Sequence, residues 1–199
     1  LGVKCISHAR GREAVLTSAR AGVDILFHGF EMDQEGLDAV VECGATLSPA
    51  LTFLVNTVEF TREGDPCFKW RPNMNRNDVE IASEMLVEAR KAGVPFMVGS
   101  DSGFAVTPYG EWHAKELEIM VKYLGFTPGE ALKCTTSENS KLLREGTNVG
   151  RLADGVLADI TVVKANSLDD IVTLQNRDNL KDVWLGGKQV DLPPTADFK

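Results

Sequence analysis

The chain has 199 residues, 43% of them hydrophobic and 25% charged, with a formal net charge of −8. That length allows one good core or two modest ones. The acidic balance, with the 21 Lys and Arg residues scattered rather than clustered, argues against nucleic-acid and acidic-membrane partners. No apolar run approaches the roughly 18–20 residues that span a bilayer.

In chain order, Val3-Lys4-Cys5-Ile6-Ser7-His8 reads as a buried strand. It lacks an introducing helix, so the chain is expected to be cut at its N-terminus. A helix is predicted over 11–21, with Ala14, Val15 and Ala19 inward and Gly22 as its left-handed stop. The run Val23–Phe27 is the next strand and ends at His28. A second helix is expected over 34–43, N-capped by Asp33, with Leu37, Val40 and Val41 apolar and Gly44 ending it. Thr46-Leu47-Ser48 is strand-like and closed by Pro49. The stretch 51–76 reads as an irregular excursion, longer than an ordinary connection. A helix over 78–92 follows, with Ile81, Met85, Leu86 and Ala89 on one face, and then a strand through 94–101 that delivers Asp101. Next come a loop over 102–110, a helix over about 111–123 burying Leu117, Met120 and Val121, and a capping box at Thr127-Pro128-Gly129-Glu130 that opens a helix to about 134. Another helix is expected near 138–144. The pattern changes at Gly150: the run 157–163 is β-rich, and Gly186-Gly187 between two short apolar segments signals a hairpin. The expected organisation is 1–149 as an α/β body, 150–192 as a small β-module and 193–199 as a loose tail.

The four cysteines, Cys5, Cys43, Cys67 and Cys134, are far apart and form no C-x-x-C, so neither a disulfide framework nor a thiolate zinc site is expected. Cys5 and Cys43 fall within or beside elements read as buried. A reducing, cytoplasmic location is the expectation. The chemistry collects elsewhere. Two of the three histidines, His8 and His28, close consecutive strands 20 residues apart, and Asp101 closes a later one. In a parallel α/β sheet such exits share one rim. Two imidazoles and a carboxylate there suit a divalent metal, zinc above all. Each residue alone also has an ordinary structural role: a strand-end histidine packs in a core, and an aspartate after serine caps a turn.

Several segments together resemble the later half of an amidohydrolase-superfamily metal hydrolase. They are His8-Ala9-Arg10-Gly11, Ala21-Gly22-Val23-Asp24-Ile25-Leu26-Phe27-His28-Gly29, Gly44 through Leu51, Gly99-Ser100-Asp101, Thr127 through Leu132, and Thr135-Thr136-Ser137-Glu138-Asn139. The C-terminal segments Gly150 through Gly155, Ala158-Asp159-Ile160 and Val183 through Lys188 extend the likeness over nearly the whole chain. The likeness is to the branch holding imidazolonepropionase, prolidase-like dipeptidases and phenylurea- and carbamate-cleaving hydrolases. It implies an α/β fold made of the second half, strands 5–8, of a metal-dependent (β/α)8 TIM-type barrel, with a C-terminal β-sandwich module. His8 and His28 then correspond to the metal ligands closing strands 5 and 6. Asp101 corresponds to the strand 8 ligand and general acid/base, and one or two divalent ions are expected in the full enzyme. The implied reaction cleaves the C–N bond of an amide, urea, carbamate or dipeptide with metal-activated water. The superfamily's His-x-His pair and its strand 4 ligand have no counterpart here. The isolated chain is therefore expected to be an inactive fragment that needs the missing N-terminal half of the barrel or a self-association partner, and homo-oligomers are expected.

Around these three residues, Arg10, Ser48, Tyr109 and His113 are candidates to touch a small-molecule substrate. Arg10 would grip a carboxylate or polarise a carbonyl, or else stand as a solvated cation. His113 would support Asp101 or lie on a helix surface. Phe53, Phe104, Tyr109 and Trp112 would line an aromatic pocket or pack as lid and core. The competing reading of the whole is a catalytically incomplete half-barrel that serves as a structural or assembly partner. A phosphate-binding barrel is disfavoured, since no glycine-rich cradle follows the last strands.

Overall fold

The computed structural model of the chain describes residues 3–60, 76–103, 106–110, 112–143 and 148–192. Strands β1 (Ile6–Gly11), β2 (Ile25–Glu31) and β3 (Thr46–Ser48) alternate with helices α1 (Arg12–Arg20) and α2 (Gln34–Cys43). The strands pair in the order β1-β2-β3, each pairing parallel, as two successive βαβ units require. The strand expected through 94–101 is reduced to an isolated parallel bridge between Leu47 and Phe96. Leu47 N–H donates to the Pro95 carbonyl and Met97 N–H to the Leu47 carbonyl. Pro95 has no N–H to extend the pairing before this bridge, and β3 itself ends at Ser48, so the segment continues without a ladder.

Helix ends follow the sequence signals. Asp33 accepts from Gly36 N–H at the start of α2, and Gly44 closes that helix at φ 70°, where a Cβ would be strained. The inward faces differ in detail from the periodicity. α1 buries Val15, Leu16 and Ala19 and leaves Ala14 out, while α2 buries Leu37 and Val40 and exposes Val41. In α4 (Arg76–Lys91) the buried stripe is Val79, Ala82, Leu86 and Ala89, and Ile81 is exposed. That stripe keeps the 3- and 4-residue spacing of one helix face, which Ile81 does not share. These side chains cover Leu26 and Leu47 of the sheet in one continuous core.

The stretch read as irregular from residue 51 instead begins with a helix, α3 (Thr52–Phe60). It buries Thr52, Leu54, Val55, Asn56 and Thr57, so apolar and small polar residues occupy most of its circumference and no amphipathic period marks it. The remainder of that excursion, with Cys67, lies outside the described residues. α5 (His113–Leu124) buries Leu117, Ile119, Met120 and Leu124, with Val121 half-buried. α6 (Pro128–Lys133) opens on the complete Thr127–Glu130 capping box. Where a separate helix near 138–144 was expected, α6 runs on into a π-helical turn, Cys134–Glu138, and a 3₁₀ turn, Asn139–Leu142.

The C-terminal strands β4 (Ile160–Val163), β5 (Leu180–Leu185) and β6 (Lys188–Val190) form an antiparallel sheet in that order. β4 starts three residues later than the β-rich run suggested. Gly186 and Gly187, at φ 55° and 77°, make the two-residue turn. Among the described residues this is one three-stranded sheet, not the two layers of a sandwich. It is tied to the rest through Ile171, buried in the core, and through Gln175 Nε2 donating to Glu118 Oε2 at 2.7 Å. The tail after Leu192 lies outside the described residues. Among the described cysteines, Cys134 is buried, Cys43 half-buried and Cys5 exposed, contrary to the buried setting expected of Cys5; all three are free thiols. No helix among the described residues is long and apolar enough to cross a membrane.

Candidate metal centre

His8 and His28 lie within β1 and β2 rather than beyond their ends, and a break in strand geometry brings their rings together. His8 pairs with Phe27 across the sheet, so strict alternation would send His28 to the opposite face. That alternation fails because His28 and Gly29 both take left-handed backbone, φ 75° and 72°, and the β1–β2 register shifts between Ala9 and Gly11. Such a bulge re-aims a side chain. His28 Nε2 ends 3.2 Å from His8 Nδ1, with ring centroids 4.4 Å apart. Gly29 leaves room for the bulge, since a Cβ there would sit 3.1 Å from Leu47.

Asp101 is also left-handed, at φ 52°. Non-glycine residues rarely adopt this conformation, and it persists only where surrounding contacts enforce it. Before it, Gly99 packs flat on β2 and β3; an added Cβ would meet Ser48 Oγ at 2.7 Å and Phe27 Cε1 at 2.8 Å. After it, Gly103 N–H donates to the Thr107 carbonyl, and Thr107 Oγ1 donates to the Asp101 carbonyl at 3.4 Å. Asp101 Oδ2 thereby stands 3.8 Å from His28 Nε2 and 3.4 Å from Arg10 Nη2.

One donor atom from each of His8, His28 and Asp101 lies within 4.8 Å of the others. Two ligands on one zinc at ~2.05 Å and the tetrahedral angle stand about 3.4 Å apart, close to the His8–His28 and His28–Asp101 separations. His28 has the electronic state of a ligand. Burial first, then the charges of Arg10 and His8, push its pKa down to about 3, the Pro49 carbonyl opposing, so the ring is neutral. The 3.8 Å approach to Asp101 is then no ion pair. Two imidazoles beside a carboxylate fit a divalent cation of the zinc type.

The other candidate residues are placed unequally. Arg10 reaches the centre directly, its guanidinium 5.9 Å from the Phe30 ring and 5.8 Å from the Phe53 ring, with Nε buried and unbonded. Ser48 is fully buried beneath Gly99, its Oγ also without a partner. His113 is exposed at the start of α5, yet its Nδ1 lies 2.8 Å from Ser100 Oγ, so it braces the residue before Asp101. Tyr109 is 82% exposed and its ring lies against Gly103, at the rim rather than at the ligands. Trp112 packs at a tilt against Phe60, ring centroids 5.6 Å apart, and Phe104 lies outside the described residues.

The sequence reading missed Glu116. This fully buried carboxylate of α5 accepts from Leu51 N–H at 3.0 Å, Thr52 N–H at 2.8 Å and Thr52 Oγ1 at 2.5 Å. It caps α3 from another helix and so fixes the turn after β3. Burial raises its pKa to about 7; the hydrogen bonds oppose this, and the charge of Asp101 adds to it. The signal was present: Glu116 shares the i, i+4 row of Met120 and Leu124, where an apolar residue belongs.

Parallel βαβ units that carry two imidazoles, with the Asp101 carboxylate brought beside them, define the class, an α/β scaffold with a candidate metal site. The sequence model of the amidohydrolase family matches residues 3–190, and the chain belongs to that family. It is similar to the ochratoxinase of Aspergillus niger, 30% identical over 188 residues covering 92% of this chain and 37% of that protein. The crystal structure of A. niger ochratoxinase superposes with a TM-score of 0.79 at 26% identity, over 96% of this chain and 42% of that one. A Xaa-Pro dipeptidase with methionine bound in its active site gives a TM-score of 0.77 at 27% identity, over 96% and 45%. The chain thus spans less than half the length of these relatives.

Proposed function

We propose that this chain supplies three metal ligands and the proton-transfer group of an amidohydrolase that cleaves C–N bonds of amides or dipeptides. The observation that carries the reading is the convergence of His8, His28 and Asp101 within 4.8 Å in a member of that family. A divalent ion held by these residues, zinc being the best match, would polarise the scissile carbonyl and acidify water. Asp101 accepts the proton of the attacking water as oxygen bonds to the carbonyl carbon. It returns that proton to the leaving nitrogen as the C–N bond breaks. His28, neutral and buried, holds its position without competing for the proton. Arg10, braced between two aromatic rings, orients a substrate carboxylate or carbonyl, which fits an N-acyl amino acid or a dipeptide better than a neutral urea.

Three ligands and no His-x-His in the sequence further suggest that β1–β3 and the Phe96 segment form one half of a (β/α)8 barrel, and that turnover needs the complementary strands. The competing reading, an assembly partner without catalysis, draws on the exposure of Val3 and Ile6, 77% and 54%, along the β1 edge. Elemental analysis and hydrolysis of N-acyl amino acids and Xaa-Pro dipeptides separate the two. The hydrolase reading expects bound zinc or a similar ion and turnover once the complementary strands are supplied. It also expects a loss of at least 100-fold in kcat for Asp101→Asn. Turnover by the isolated chain would contradict the half-barrel reading, and a metal-free, inactive complemented protein would contradict the hydrolase.

A further inference from the structure

The segment Thr135-Thr136-Ser137-Glu138-Asn139 has no part in the chemistry above, yet it reaches the extended segment that leads to Asp101. Asn139 Oδ1 accepts from Val98 N–H at 2.9 Å, and its Nδ2 donates to the Val98 carbonyl at 3.0 Å. Two bonds exchanged with the N–H and C=O of one residue are what a neighbouring strand makes at a hydrogen-bonded pair. Pro95 C=O and Met97 N–H are used by β3, so by alternation the polar groups of Val98 turn to the other side, where the carboxamide meets them. The π-helical turn Cys134–Glu138 ends at Asn139 and interrupts the regular phase of the helix there. Such turns are rare and recur at functional sites. Three residues beyond Val98 stands Asp101 in its left-handed conformation, which neighbouring contacts must enforce.

We propose that Asn139 is a positioning residue for Asp101, its carboxamide standing in for a ladder partner of Val98 and holding the Asp101 carboxylate at the two imidazoles. The assignment rests on the metal reading of His8, His28 and Asp101. Only a side chain carrying a donor and an acceptor on one carbon can do this. An aspartate at 139 would keep the bond to Val98 N–H and set a carboxylate against the Val98 carbonyl.

Zinc affinity of the protein supplied with the complementary strands, measured by chelator competition, tests it in four variants, with thermal melting to confirm that each is folded. Asn139→Asp is expected to weaken zinc about 10–100-fold, the range for groups that orient ligands. Asn139→Gln, which keeps both amide functions on a longer stem, recovers part of that loss. Asn179→Asp removes a comparable bond, from Nδ2 to the Thr173 carbonyl at 2.8 Å, away from the centre and leaves affinity unchanged. His28→Asn, which tolerates the left-handed backbone, loses zinc and reports on the metal reading itself. The proposal is overturned if Asn139→Asp binds zinc within twofold of the parent while His28→Asn loses it. It is also overturned if Asn179→Asp weakens zinc as much as Asn139→Asp. A parent protein that takes up no zinc would bring down the metal reading, and this assignment with it.

Discussion

Gly99 shows how little space the residues around Asp101 leave. Ser48 Oγ and Phe27 Cε1 both stand closer to its missing side chain than van der Waals contact allows. Gly99→Ala should therefore lower stability by about 1–3 kcal/mol, the usual cost of overpacking. It should also weaken metal binding, because the segment carrying Asp101 must move; unfolding curves and zinc competition on the same variant would show both. An alanine variant as stable as the parent would mean that Phe27 and Ser48 yield freely. At this scale the sequence revealed the residues whose chemistry is loud. The convergence of His8, His28 and Asp101 was legible because histidine is scarce and each follows an apolar run. The partners of Glu116 and Asn139 were not, since they are backbone groups far along the chain. Leu51 and Thr52 are more than 60 residues from Glu116, and Val98 is 41 residues from Asn139.

Among elements, α3 is the one that sequence periodicity did not show and the one with the most unusual cap. Its first N–H groups are satisfied by Glu116 of α5, so the ionisation of one buried carboxylate bears on how firmly the turn after β3 is held. The folded-state pKa of Glu116, about 7, is above its ordinary value of 4.5. The folded protein therefore holds a proton that the unfolded chain releases. The stability this contributes is full below about pH 4.5 and is lost as pH rises through about 7. Urea unfolding across that window should show stability falling with pH, and Glu116→Gln should flatten the slope. A parent and variant with the same slope would show that Glu116 ionises as it does in water. The glycine-punctuated βαβ units, the Asp33 cap, the Thr127–Glu130 capping box and the Gly186–Gly187 hairpin were all legible. Each depends on signals within a few residues. The single bridge at Phe96 was not, because the short β3 and the missing N–H of Pro95 limit it together.

For the molecule as a whole, the parallel order of strands and the family match over residues 3–190 go together with the convergence of His8, His28 and Asp101, while the chain covers 37% of the ochratoxinase it resembles. The bulge at His28, the strained Asp101 and the packed Gly99 all serve one point in space, and that convergence is the central claim. The most direct measurement is anomalous diffraction at the zinc edge from crystals of the protein grown with zinc. The account predicts a single strong peak about 2.0–2.2 Å from a ring nitrogen of His8, a ring nitrogen of His28 and an oxygen of Asp101. Density elsewhere on the surface, with these three side chains left unliganded, would contradict it.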